Sequence, residues 1–210
     1  VGVTVNDDAR TGNVTRSVDI IHERSAMRAD EPLGARSDGT LVERSADGDT
    51  DAFAVLVRRY GPIMRAYAAR ILGGDADADD VVQDATLLAW QRIGDVDDPD
   101  RVRSWLFRIT ANKAVDRLRR RHPHQSLDAI VEHADAQGTE HVVAVRMQVE
   151  DVARALRELP DGQRAVWVMR EIGGASYADI EAETGLPLST VRGMLARARR
   201  TVLERMEGWR

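Results

Sequence analysis

Cysteine is absent from all 210 residues, which excludes disulfides, thiolate metal sites and thiol-based redox sensing within the chain. Lysine is nearly absent too: Lys113 is the single lysine among thirty basic residues, a bias of composition that says nothing about function. No apolar run approaches the roughly twenty residues a membrane helix needs, and the N-terminus lacks a basic-then-apolar signal pattern, so a cytoplasmic protein without membrane insertion is expected. The five histidines (22, 122, 124, 133, 141) have no ligand spacing. Asp47, Asp49 and Asp51 open like a calcium loop but meet Ala52 and Arg58 where Gly and Glu are required; Asp75, Asp77 and Asp79 fail in the same way at Asp80 and Thr86. No nucleophile–base arrangement and no phosphate-cradling glycine loop is present. The expectation is therefore a protein without catalytic residues, metal or cofactor.

What the chain does contain is concentrated toward its C-terminal end. Ser176-Tyr177-Ala178-Asp179 has the spacing of a capping box, in which a hydroxyl and a carboxylate satisfy the free N–H groups that open a helix. Gly185 supplies a left-handed stop, Pro187 forces an extended residue before it, and Ser189 is placed to cap the next helix. Two helices joined by so short a turn read as a helix-turn-helix. In the second, Val191, Leu195, Ala198, Val202 and Met206 form one apolar stripe. Ser189, Thr190, Gly193, Ala196, Arg197 and Arg200 lie away from it, flanked by Arg192 and Arg199. Residues 189–205 carry five Arg against one Glu, a face suited to phosphates and guanine edges in a major groove.

A second feature is a reversal of charge. Residues 75–100 hold nine Asp against Arg92 alone, whereas in residues 104–121 Arg108, Lys113, Arg117, Arg119, Arg120 and Arg121 outweigh Asp116. A protein that only gripped DNA gains nothing from an acidic block beside a basic helix, because phosphates repel it. Two different partners are the simpler explanation. With a net charge of −5, nucleic-acid binding must be local, and the acidic block should hold the free chain off duplex DNA.

Along the chain, residues 1–40 are polar and aperiodic and are expected to be disordered. A first helical domain is expected over 41–122. Helical spacing starts near Asp51, is interrupted at Gly61-Pro62 and ends at Gly73-Gly74; a second helix runs from Asp80 to Gln91, and a third, capped by Ser104, to about Arg121. Phe107, Ala111, Ala114 and Leu118 form its core stripe, and Arg108, Asn112 and Arg119 share another face. Residues 123–148 read as a flexible linker, and 149–210 as a second helical domain containing the helix-turn-helix. The fold class is all-α, in two small domains.

These residues carry a resemblance over about 160 positions. Asp80-Val81-Val82-Gln83-Asp84 resembles the D-V-V-Q-[DE] helix of bacterial sigma factors of the extracytoplasmic-function group, Ser104-Trp105-Leu106-Phe107-Arg108-Ile109 with Asn112, Asp116 and Arg119 resembles their minus-ten-reading segment, and Leu159-Pro160, Arg164, Tyr177, Ile180, Gly185, Pro187, Thr190-Val191-Arg192 and Arg197-Ala198-Arg199 resemble their minus-thirty-five-reading module. The resemblance implies that Asp80, Gln83, Asp84 and Leu87 meet the β′ clamp helices of core RNA polymerase. It implies that Arg108, Asn112, Lys113, Arg119 and Arg120 meet the minus-ten element, with the Asp95–Arg103 loop and the Asn112 face capturing an unstacked base. Ser189, Thr190, Arg192, Gly193, Arg197 and Arg200 would meet the minus-thirty-five element, the β flap would be a further polymerase contact, and an anti-sigma factor a further partner. Carboxylates one helical turn apart suit partner arginines, and an asparagine amide offers both donor and acceptor to a base edge. Trp105 is read as core in preference to a stacking platform.

The chain departs from the family pattern at Gly193-Met194-Leu195-Ala196, where an Arg and a His are common, and at Glu181, where a small Ala is common. Two other classes fit parts of the sequence. A DNA-binding regulator with an N-terminal receiver or dimerisation domain would share the helix-turn-helix without needing the acidic helix. An Asp-rich metal-dependent hydrolase on a helical fold lacks the ligand geometry.

Overall fold

A computed structural model describes residues 32–121 and 144–207. The described residues form eight α-helices and no strand: α1 (Asp38–Ala46), α2 (Thr50–Leu72), α3 (Ala78–Arg92), α4 (Val102–Arg121), α5 (Ala144–Glu158), α6 (Asp161–Glu171), α7 (Tyr177–Thr184) and α8 (Leu188–Glu207). Short 3-10 turns lie at Leu33–Ala35, Ile93–Asp95 and Pro99–Arg101. From Asp38 onward the described chain is one packed body.

Helix α2 is the axis of that body. It starts where the Asp49 carboxylate accepts the N–H groups of Asp51 and Ala52, both at 3.0 Å. The Ala52 amide and Arg44 together hold that carboxyl below its usual pKa. The aspartate that failed as a calcium ligand is thus a helix cap. Gly73, with φ +75°, ends α2 in the left-handed conformation. Between these ends the helix buries Phe53, Leu56, Tyr60, Met64, Tyr67, Ala68 and Ile71. It packs on α3 through Val81, Ala85 and Ala89 and on α4 through Leu106, Phe107, Ala114 and Leu118. Tyr67 stacks on Phe107 with ring centres 4.7 Å apart, and Phe53 meets Trp90 at 5.1 Å.

Three expectations about element boundaries are corrected. The interruption at Gly61-Pro62 is absent: α2 runs unbroken through Pro62. Pro62, with Arg58, Arg59 and Ile63, lies on the exposed side of the helix, where water can bond the carbonyl that proline leaves unpaired. Disorder through residue 40 is also overturned in part, since α1 starts at Asp38 and buries Leu41 and Val42. Two buried apolar positions are too few to show a period, and α1 is fixed instead by its tertiary partners, Asp38 bonding Arg59 and Tyr60 of α2. Residues 1–31 lie outside the described residues. The cap expected at Ser104 is displaced upstream. Asp98 accepts the Asp100 amide at 3.2 Å, and the 3-10 turn that follows runs directly into α4 at Val102.

The second half follows the sequence reading more closely. The expected linker, 123–148, falls outside the described residues as far as 143, and α5 begins at Ala144 within its last positions. Helices α5, α6 and α7 each pack on α8. Val191, Met194, Leu195, Ala198 and Val202 of α8 are buried, while Met206 is half-buried. Ser176 and Asp179 form the capping box in both directions, at 3.1 and 2.8 Å, and Gly185 has φ +61°.

Helices α6 and α5 pack on α2, and α7 packs on α4. The centre of this seam is Arg164, 4 % exposed. Its guanidinium donates to the carbonyls of Ile71 at 3.1 Å and Leu159 at 2.9 Å and pairs with Asp161. A side chain at Gly73 would place Cβ 2.6 Å from the Arg164 Cζ, so this glycine is required both by its backbone angle and by the arginine it touches. Burial pulls the Arg164 pKa below the usual arginine value, with Asp161 opposing.

Candidate polymerase and promoter interfaces

The acidic block separates into structural and available carboxylates. Asp77 precedes α3 and is gripped from α4 by Arg117 at 2.5 Å and by Arg121. These two guanidiniums hold its carboxyl far below the usual carboxylate range. Asp75 and Asp79 pair with Arg65 at 3.0 and 2.8 Å, Asp95 with Arg92 at 2.9 Å, and Asp98 with Arg101 at 3.2 Å. Half of the block therefore neutralises the protein's own arginines. What α3 turns outward is Asp80, Gln83, Asp84 and Leu87, all exposed. Asp80 retains one long contact, 3.4 Å to Arg117. Leu87 is 58 % exposed and places an apolar side chain beside those carboxylates. The four residues expected to bind polymerase thus share one open surface.

The basic helix divides in the same way. Arg117 and Arg121 belong to Asp77 and leave the nucleic-acid face. Arg108 and Arg120 are exposed, Lys113 and Asn112 half-buried. Arg119 is exposed but engaged: its guanidinium donates to the Thr184 carbonyl at the end of α7. Trp105 is only half-buried and lines a cavity of about 390 Å³, a correction to the core reading. It stands in the first turn of α4.

In α8 every candidate position is accessible. Ser189, Arg192, Ala196, Arg197, Arg199 and Arg200 are exposed, and Thr190 and Gly193 half-exposed. Among the described residues no carboxylate pairs with Arg197 or Arg200, whereas Arg199 is held by Glu171 at 2.6 Å. Arg170 and Arg192 lie over the Tyr177 ring at 5.0 and 5.9 Å. Arg197 folds back to within 3.5 Å of where a Cβ on Gly193 would sit.

Ser189 is not the cap. Helix α8 begins at Leu188, and its first amide donates to the Glu181 carboxylate of α7 at 3.0 Å. Glu181 is the position at which the chain departs from the family's small residue. It serves as an acidic cap reaching across the turn. Sequence reasoning missed it because capping signals are sought next to a helix start, and Glu181 lies seven residues away.

Glu183 was also missed. Both of its carboxylate oxygens are shut off from solvent, and neither meets a hydrogen-bond donor among the described residues. Its pKa is pushed up to about 8, first by burial and then by Asp179, with Arg108 opposing. No group of three or more metal-ligating side chains occurs among the described residues, and none of the described helices is long and apolar enough to cross a membrane.

Residues 56–123 match Sigma-70 region 2, and residues 150–202 match Sigma-70, region 4. The chain is 38 % identical to the RNA polymerase sigma factor CnrH of Cupriavidus metallidurans, covering 78 % of this chain and 91 % of that one. It is 37 % identical to the ECF sigma factor SigM of Mycobacterium tuberculosis, over 78 % and 82 % of the two chains. Among solved structures it resembles CnrH in complex with the cytosolic domain of CnrY, with TM-score 0.50 and 34 % identity over 82 % of this chain and 99 % of that chain. A second likeness, in fold, is to the sigma factor RpoE bound to the anti-sigma factor NepR from Bartonella quintana: TM-score 0.54, 24 % identity, over 74 % and 96 %. The chain belongs to the extracytoplasmic-function group of the sigma-70 family. Like its family, it binds core RNA polymerase and directs promoter-specific initiation, region 2 reading the minus-ten and region 4 the minus-thirty-five element.

Proposed function

We propose that the outward face of α3 (Asp80, Gln83, Asp84, Leu87) docks on the β′ clamp helices. On the same reading Arg108, Asn112, Lys113, Arg119 and Arg120 engage the minus-ten element, and Ser189, Thr190, Arg192, Gly193, Arg197 and Arg200 the minus-thirty-five element. The observation that carries the reading is the sorting of charge. Asp75, Asp77, Asp79, Asp95 and Asp98 are paired with the protein's own arginines, whereas on one face of α3 Asp84 stands exposed and Asp80 keeps a single long contact, beside an exposed leucine. The protein acts by binding, without chemistry of its own, in the cytoplasm where polymerase is. Two structural relatives are bound to CnrY and to NepR, which supports an anti-sigma partner here, and the region 4 helices suit the β flap.

Run-off transcription with purified core polymerase tests the reading as a whole: start sites downstream of a fixed pair of promoter elements are expected, and failure to initiate overturns it. The two reading helices are separable. Arg197→Ala and Arg200→Ala should weaken holoenzyme binding to a promoter and reduce the slope of log affinity against log salt by roughly one per lost phosphate contact. Asn112→Ala should leave that slope nearly unchanged and instead alter which base is tolerated in the minus-ten element. An unaltered base preference across a set of single-base promoter variants would sink the Asn112 assignment.

A further inference from the structure

Helix α7 lies against α4 on the side that carries the minus-ten candidates. Two contacts define the seam. Arg119 donates to the Thr184 carbonyl, and the cavity beside it is walled by Trp105 and Arg108 from α4 and by Asp179 and Glu183 from α7. An arginine needed for promoter contact is thereby occupied by the other half of the protein. On the cavity's wall stands Glu183, whose two carboxylate oxygens are shut off from solvent and meet no donor among the described residues, which is tolerable for a neutral acid and costly for an anion. We propose that this seam is a proton-operated latch: protonated Glu183 lets α7 lie across the promoter-facing side of α4, and loss of its proton releases it.

The charges around Glu183 favour this assignment. From α2 it faces Tyr67, a phenol whose own proton is held more tightly by burial and by the Glu183 charge. From the segment before α4 come Asp97, Asp98 and Arg101, and from α4 comes Arg108. Arg101 is paired with Asp98, and Arg108 attracts Glu183 without bonding it. On its own helix Asp179 lies one turn away, a like-charge spacing. Asp179 is held ionised by the Ser176 hydroxyl and amide, so Glu183 is the member of the pair that takes the proton.

The closed form holds its proton up to about pH 8, against an ordinary glutamate value of 4.5 once α7 lifts away. Closure is therefore fully favoured below the ordinary value and weakens as pH rises through that window, the open-to-closed ratio gaining up to about tenfold per pH unit. The latch goes beyond the promoter-reading role and does not need it, because it is measurable in the free chain.

The absence of cysteine makes the experiment direct. Arg58→Cys on α2 and Ala182→Cys on α7, both exposed, accept a donor and an acceptor dye in the full chain. Transfer efficiency should fall between pH 6 and pH 8.5, while the same pair in a Glu183→Gln background, with helicity checked by circular dichroism, should stay high and flat. A flat wild-type profile overturns the latch, as does a Glu183→Gln profile that moves with pH as the wild type does. Glu183→Met, neutral and apolar, should match Glu183→Gln; a wild-type-like pH response in that variant counts against the proposal equally.

Discussion

Asp84→Arg should lower affinity for core RNA polymerase by about thirtyfold or more, since truncating one partner of a desolvated charge pair already costs about 2–5 kcal/mol and reversal adds repulsion. The substitution puts a cation where α3 offers arginines a carboxylate, next to an exposed Leu87 that must lose its water in the same contact. The fold should not respond. Asp84 is exposed, and Arg117, the cation it attracts, is held mainly by Asp77 and also by Asp80. Competition for core polymerase against a labelled wild-type chain reads the effect, and an unchanged midpoint removes α3 as the docking face. Asp79 provides a contrast: it is equally acidic and one residue from Asp80, but it belongs to Arg65.

The largest loss of stability is expected from Arg164→Ala, about 3–5 kcal/mol. The substitution removes a nearly buried guanidinium from two carbonyls and one carboxylate at once. Asp161 loses its contact with the guanidinium, the Ile71 and Leu159 carbonyls lose a charged donor, and the space against Gly73 is vacated. Lysine should restore little, since one ammonium cannot reproduce a planar fork reaching three acceptors. Urea unfolding followed by circular dichroism measures the change, and a loss under about 1 kcal/mol would mean the seam is not held by this residue.

The parts of this molecule that were legible in its sequence are those written in local chemistry. The capping box at Ser176 and Asp179, the left-handed stop at Gly185 and the four-three-four stripe of α8 are each set by residues within a turn or two of one another. The structure reproduces all three. Long-range partners explain the errors. Helix α1 exists because Asp38 meets Arg59 and Tyr60 twenty-odd residues away, and α8 starts at Leu188 because Glu181 reaches across the turn. Arg164 was readable as a motif position but not as the centre of a seam, because its partner Ile71 is ninety-three residues distant. The acidic block was read as one partner-binding surface. The resemblance already singles out Asp80, Gln83, Asp84 and Leu87; only the geometry shows that Asp77, Asp75 and Asp79 bind the protein's own arginines.

The grip of Arg117 and Arg121 on Asp77 has a consequence for where a transcript begins. On the proposed reading helix α3 carries the surface offered to polymerase and α4 the surface offered to melted DNA, and two guanidiniums from the second are fastened to the front of the first. The two surfaces therefore work like the fixed jaws of a gauge. Seating the protein on the enzyme simultaneously sets the distance at which the opened strand is handed to it, so variation in promoter length has to be absorbed elsewhere than between these two helices.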